Sequence, residues 1–171
     1  MRFILKLCAI VCVLGLAGPA LAAEAPEARA TVKVDPAAPV KVVYDIHTNA
    51  TAAGINKGLY YARGLIEAYG KQGVALAQLD IHLVLHGDAA TALLVDAAYQ
   101  KAVDDPFTLN YNAKITQDLL NLGVSVEICH SVMRAKGWKP ADVLPGVTIV
   151  HDGYTRLIKL QNDGYAYIGG F

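Results

Sequence analysis

From Val40 onward the chain alternates short β-branched runs with longer stretches of helical period, and no other feature constrains its fold as much. Lys41 to Ile46 reads as strand one. Ala52 to Tyr69 then reads as a helix, with Ile55, Leu59, Ala62, Ile66 and Tyr69 sharing one face before Gly70 and Gly73 stop it. Asp80 to Leu85 is strand two, closing on His86-Gly87-Asp88. Ala89 to Val103 has helical character up to Asp104-Asp105-Pro106, and a further helix from Asn112 to Leu122 feeds strand three, Val124 to Ile128. After Cys129 a short helical segment runs to Lys136, Val147 to Val150 is strand four, Tyr154 to Asn162 is a helix, and Tyr165 to Ile168 is the last strand.

Strands separated by helical patterns at these distances imply βαβ units and a mainly parallel five-stranded sheet covered on both faces. The fold expected is therefore an α/β three-layer, flavodoxin-like one. There is no glycine-rich dinucleotide fingerprint, and the strand order expected is 2-1-3-4-5. In that order strands one and three are neighbours, and the crevice at their C-terminal ends is where the topology places chemistry.

The N-terminus reads as an export signal. Arg2 and Lys6 form a positive start, Leu7 to Gly18 an apolar stretch, and Ala20-Leu21-Ala22 a small-residue cleavage motif. The apolar run is shorter than the roughly 20 residues of a spanning helix, so no stable membrane insertion is expected once the signal is cleaved. This divides the chain into a signal peptide (1–22), a flexible Ala- and Pro-rich leader (23–39) and one α/β domain (40–171), with a periplasmic location. Of the 15 basic residues, Arg2 and Lys6 leave with the signal, so 13 face 15 acidic ones, a net of −2. That charge carries no footprint for nucleic acid.

Export also settles the cysteine arithmetic. Cys8 and Cys12 fall within the signal, and Cys129 is left as the single thiol in a compartment that favours disulfides. It stands at a strand-to-helix junction, where helix N–H groups can favour a thiolate. Four of the five histidines, His47, His86, His130 and His151, sit at or just past strand ends on the same edge of the sheet. His47 and His151 are the candidate proton-transfer groups for Cys129, because strand two lies beyond strand one in the assumed order and His130 should leave on the opposite face. His82, in mid-strand, reads as a hydrogen-bonded interior residue. Glu127 shares a face with Cys129 and would oppose its ionisation unless a cation intervenes, so that face is either wet or paired across a subunit contact. Asp45 shares a face with His47 and could orient its ring.

Other motifs carry little. Gly54 to Gly58 lacks Walker spacing, Asn49-Ala50-Thr51 matches a glycosylation acceptor in a short and common pattern, and there is neither a C-x-x-C pair nor a G-x-S-x-G elbow. No cofactor is expected.

Three stretches together are similar to one family, the DsrE/DsrF-like sulfur-relay proteins, in their exported, stand-alone branch. These are GVSVEICHSVMRAKGW (Gly123 to Trp138), His86-Gly87-Asp88, and DVLPGVTIVHDGYTRLIKLQNDGYAYI (Asp142 to Ile168). The resemblance implies a flavodoxin-like fold, a homotrimer or hexamer, and Cys129 as the nucleophile that accepts sulfane sulfur as a persulfide. His86, Asn49 and Ser131 are the accompanying candidate binding residues. One departure is that His130-Ser131-Val132 follows the cysteine where relatives often carry a small residue and then Asn-Thr.

The function expected is that of a periplasmic sulfur carrier, at most a sulfurtransferase-like one, working between periplasmic donor and acceptor proteins. Two readings compete with it: a periplasmic metal-binding module for Cu or Zn built from cysteine and imidazole, and an inert oligomeric scaffold that binds small ligands.

Overall fold

The computed structural model describes residues 30–171. The expected signal segment 1–22 lies outside the described residues, as does the expected leader up to residue 29. Between Lys33 and Phe171 the chain forms one compact unit.

Five parallel strands make its sheet: β1 (Val40–Ile46), β4 (Leu79–Leu85), β5 (Ser125–Cys129), β6 (Thr148–Val150) and β7 (Ala166–Ile168). Two further strands, β2 (Thr51–Ala52) and β3 (Ile55–Asn56), form a small antiparallel hairpin. The α-helices among the described residues are α1 (Lys57–Gly70), α2 (Asp96–Val103), α3 (Asn112–Asn121), α4 (His130–Lys136) and α5 (Gly153–Asn162). Among the described residues, no helix is long and apolar enough to cross a membrane.

The three-layer α/β class is as the alternation implies, and the arrangement is of flavodoxin-like type. The strand order is not the expected 2-1-3-4-5. It runs β6-β5-β4-β1-β7, so that in chain order the sheet reads 4-3-2-1-5. Strand one pairs with strand two over its full length, from Val40 with Leu79 to Ile46 with Leu85, and strand three is two places away from strand one. Successive connections step the same way along the sheet until β6, and then α5 carries the chain back past three strands to β7. Right-handed crossovers put all helices that step one way on one face and the returning helix on the other.

The two sheet faces differ accordingly. Val42, Tyr44, Ile46, Ile81, Leu83, Leu85, Val126 and Ile128 pack into one continuous core with Leu59, Ala62 and Ile66 of α1, Leu119 of α3 and Met133 of α4. Under α5 the apolar cluster is small: Val43, Val84, Leu157 and Leu160. Since strand side chains alternate between faces, Asp45, His82, Glu127 and Cys129 lie on that side as well. The face covered by a single helix is thus the polar one.

Two local departures have plain causes. The expected helix from Ala52 begins only at Lys57, because Ala53 and Gly54 take left-handed φ values of 51° and 81° to turn the β2–β3 hairpin. Asn56 then caps the helix, its side chain accepting from the N–H groups of Gly58 and Leu59. The expected helix over 89–103 is a 3₁₀ segment (Gly87–Leu93) followed by α2, interrupted where Leu94 bridges to Val143. At the other end, the Val34 N–H bonds Gln72 and Pro36 accepts from Gln78, which ties residues just before β1 to the domain.

Candidate functional site at the carboxyl edge of the sheet

Cys129 ends β5 and is 3% exposed. It occupies the N-cap position of α4, but its side chain does not cap that helix. Instead the N–H of Gly153, the first residue of α5, donates to Sγ at 3.2 Å. Helix-end stabilisation of the sulfur is therefore present, from a helix 24 residues further along the chain. Asp152 caps α5, accepting from the Thr155 N–H at 3.1 Å, and this hydrogen bond above all holds its carboxyl below the usual range.

The strand order reassigns the histidines. Because β4 and β6 flank β5, His86 and His151 follow the neighbouring strands, whereas His47 follows β1, one strand further away. The expectation that His86 lies farther from Cys129 than His47 does is thus overturned. Gly153 links the two: its amide faces the sulfur, and a methyl group on its Cα would lie 3.0 Å from Cβ and 3.1 Å from Cγ of His86. His86 is buried, and its Nε2 stands 2.6 Å from Oδ1 of Asp45. His47 is half-exposed and stacks on His86 with 5.8 Å between ring centres. Its Nδ1 is 3.7 Å from the same Asp45 oxygen, so the carboxylate engages His86 more closely than His47.

His151 is exposed, and its carbonyl accepts a hydrogen bond from Ser131 Oγ at 3.3 Å, joining the first turn of α4 to the β6–α5 turn. His130 is the first residue of α4 and is half-buried. Asn49 is elsewhere: it lines a cavity of about 150 Å³ with Thr51, Asn56 and Asn112 on the α1–α3 side. A larger cleft of about 460 Å³, bounded by Lys101, Lys136, Trp138 and Asp142, also contains none of the strand-end histidines.

Glu127 is neither wet nor left for a second subunit. It is fully buried, and Arg156 of α5 grips it with two hydrogen bonds, Nε to Oε2 at 2.7 Å and a terminal nitrogen to Oε1 at 2.8 Å. His82 Nδ1 is 2.5 Å from Oε1, and Ser125 adds a hydroxyl at 3.0 Å. Burial pushes the carboxyl pKa up, but the hydrogen bonds from His82 and Arg156 and their charges outweigh it and bring it down to about 2. The cation that Glu127 needs beside a thiol is therefore Arg156. His82 is the interior, hydrogen-bonded residue that its mid-strand position implies.

Gly153, Arg156 and Tyr167 are the site residues that sequence reasoning passed over. Tyr167 donates its hydroxyl to Oδ2 of Asp45 at 2.6 Å, and this hydrogen bond, helped by burial, pushes the phenol up to about 12. The sequence does hold a signal for Arg156. It recurs with Gly153, Leu157 and Leu160 on the buried stripe of α5, where a charge calls for a partner.

Two solved structures share this architecture. They are the protein of unknown function MTH1491 from Methanobacterium thermoautotrophicum (TM-score 0.54) and the ychN protein from E. coli (TM-score 0.53). Each is 21% identical to this chain, and each match covers 77% of this chain and 99% of the other. At that identity they establish the fold alone. No curated protein matches the chain. The sequence profile of the DsrE/DsrF-like family matches residues 41–169, from the second residue of β1 to just past β7, and the chain belongs to that family.

Proposed function

We propose that the protein is an exported sulfur carrier that binds sulfane sulfur on Cys129 and passes it to a partner protein in the periplasm. Family membership supports a role of the sulfur-relay type. The observation that carries the finer reading is the Gly153 N–H on Sγ, a fixed donor facing the one cysteine among the described residues. Such a donor stabilises negative charge on sulfur, in the thiolate that attacks and in the thiolate that leaves.

With thiosulfate as donor, the Cys129 thiolate attacks the sulfane sulfur, the S–S bond of thiosulfate breaks, and sulfite leaves with the electron pair. The product is a Cys129 persulfide. In the second step an acceptor thiolate attacks the outer sulfur and Cys129 departs as a thiolate, so no external oxidant or reductant is consumed. We assign the initial thiol proton to His151, on the turn that covers the sulfur, and give His47 no part because it stands behind His86. A sulfur 3% exposed meets its donor only when that turn moves aside.

We further propose that the protein self-associates through the lone-helix face. Tyr154 and Ile158 of α5 and Tyr167 of β7 are all exposed there. An Ile158→Asp variant is expected to sediment as a smaller species than the wild type.

The carrier reading is tested by mass. Incubation with polysulfide or thiosulfate should add about 32 Da per sulfur atom to the wild type. Equal additions to Cys129→Ser would end the proposal.

A further inference from the structure

Beside the sulfur, and not including it, three potential metal ligands converge. Asp45 is the penultimate residue of β1, His47 follows that strand, and His86 follows the adjacent, parallel β4. One donor atom from each lies within 4.8 Å of the other two.

The backbone under these side chains is pinned. His86 N–H bonds the Ile46 carbonyl at 3.0 Å, His47 N–H bonds the Phe171 carbonyl at 2.9 Å, and the His47 carbonyl accepts from Asp88 at 3.2 Å. Gly87 makes this approach possible. Its φ is +53°, and a methyl group there would stand 2.9 Å from the His47 carbonyl oxygen. The carboxylate is oriented as well, since Tyr167 holds Oδ2 and leaves Oδ1 facing both rings, at 2.6 Å from His86 and 3.7 Å from His47. Side-chain exposure is 8% for His86, 12% for Asp45 and 46% for His47, so the cluster is walled on one side and open on the other.

A buried Asp–His pair serving only the fold would use His86 and Asp45 and would have no need of His47 stacked alongside. We infer that Asp45, His47 and His86 form a binding site for a divalent first-row transition ion, of the Zn(II) or Cu(II) class, with Tyr167 as the group that positions the carboxylate. Two imidazoles and one carboxylate suit these ions better than Ca²⁺ or Mg²⁺, which prefer all-oxygen ligand sets. With metal–ligand bonds of about 2.1 Å in tetrahedral geometry, donor atoms stand roughly 3.4 Å apart. The Asp45–His47 separation is close to that already. The Asp45–His86 separation must open by less than about 1 Å, with His86 carrying its ring proton on Nδ1 so that Nε2 offers its lone pair to the ion. Three protein ligands leave a coordination position on the side where His47 meets water.

The test is equilibrium dialysis of the untagged chain against Zn(II), followed by metal analysis, with Co(II) absorption as the reporter of ligand type. Wild type and Cys129→Ser are each expected to hold one ion per chain, and the Co(II) spectrum should lack a thiolate charge-transfer band. His47→Gln, at a half-exposed position that leaves the fold intact by circular dichroism, should bind at least about 10-fold more weakly. Tyr167→Phe should weaken binding by about 10- to 100-fold while keeping the spectrum. Three results would each overturn the assignment: no stoichiometric uptake by wild type, equal uptake by the His47→Gln/His86→Gln double variant, or loss of the ion in Cys129→Ser. Because the site excludes Cys129, failure of persulfide formation leaves it standing, and the reverse also holds.

Discussion

The amide of Gly153 and the sulfur of Cys129 are 3.2 Å apart, and the same glycine leaves no room for a methyl group against the ring of His86. One residue at the start of α5 therefore spaces the thiol site from the Asp45–His47–His86 cluster. Replacing it with alanine forces α5 or His86 to shift by a few tenths of an ångström. Overpacking of this kind costs about 1–3 kcal/mol. Urea denaturation of Gly153→Ala should show a loss in that range, together with a changed rate of Cys129 alkylation, and a variant as stable as wild type would show that the start of α5 yields freely.

Access to the sulfur should be limited by local opening. With Cys129 at 3% exposure, thiol labelling of the folded protein is expected to run on the order of 100-fold slower than in denaturant. Asp152→Ala removes the side-chain cap of α5, worth about 1 kcal/mol, and should speed labelling roughly five-fold if the turn bearing His151 to Gly153 is the cover. Equal rates for folded and unfolded chains would contradict the buried geometry.

Acid stability should follow Glu127. Its carboxyl is lowered from 4.5 to about 2 in the folded protein, so the stability it contributes, about 3 kcal/mol, is complete above the unfolded value and disappears as the pH falls from about 4.5 to 2. Arg156→Met leaves that carboxylate buried with only His82 and Ser125 beside it. Such a change is expected to cost about 3–5 kcal/mol at neutral pH and to flatten the acid limb of a stability–pH curve.

At the alkaline end three phenols behave alike. Burial and the neighbouring Tyr69 raise Tyr44, burial and Asp80 raise Tyr165, and the hydrogen bond to Asp45 with burial raises Tyr167, each from 10.0 to about 12. A raised value means stability present below pH 10 and lost as the pH climbs from about 10 to 12. Phenolate absorbance should show three groups that ionise late in the folded state, and Tyr167→Phe should remove one of them.

Much of this architecture is legible in the linear chain. Period-two and period-3.6 patterns locate the five main strands and the helices α3, α4 and α5 to within a residue or so, because they report which side chains turn away from water. Cys129 at the close of a strand is equally visible. The β2–β3 hairpin is not, since Ala53 at φ 51° has no residue preference to announce it. The order of strands is not visible either: apolar alternation states that a strand is buried and is silent on which strand lies beside it.

What the sequence by itself determines, then, is a parallel α/β sheet with a lone thiol and several imidazoles along one edge, because local period and strand direction suffice for that. Which imidazole neighbours the sulfur, which cation answers Glu127 and which carboxylate joins His47 to His86 are decided only in three dimensions. Arg156 and Glu127 are 29 positions apart in the chain, and His86 and Asp45 are 41 apart. Such pairings arise because the chain winds one way through four strands and then returns over the opposite face, an outcome of the packing of whole layers that no local pattern encodes.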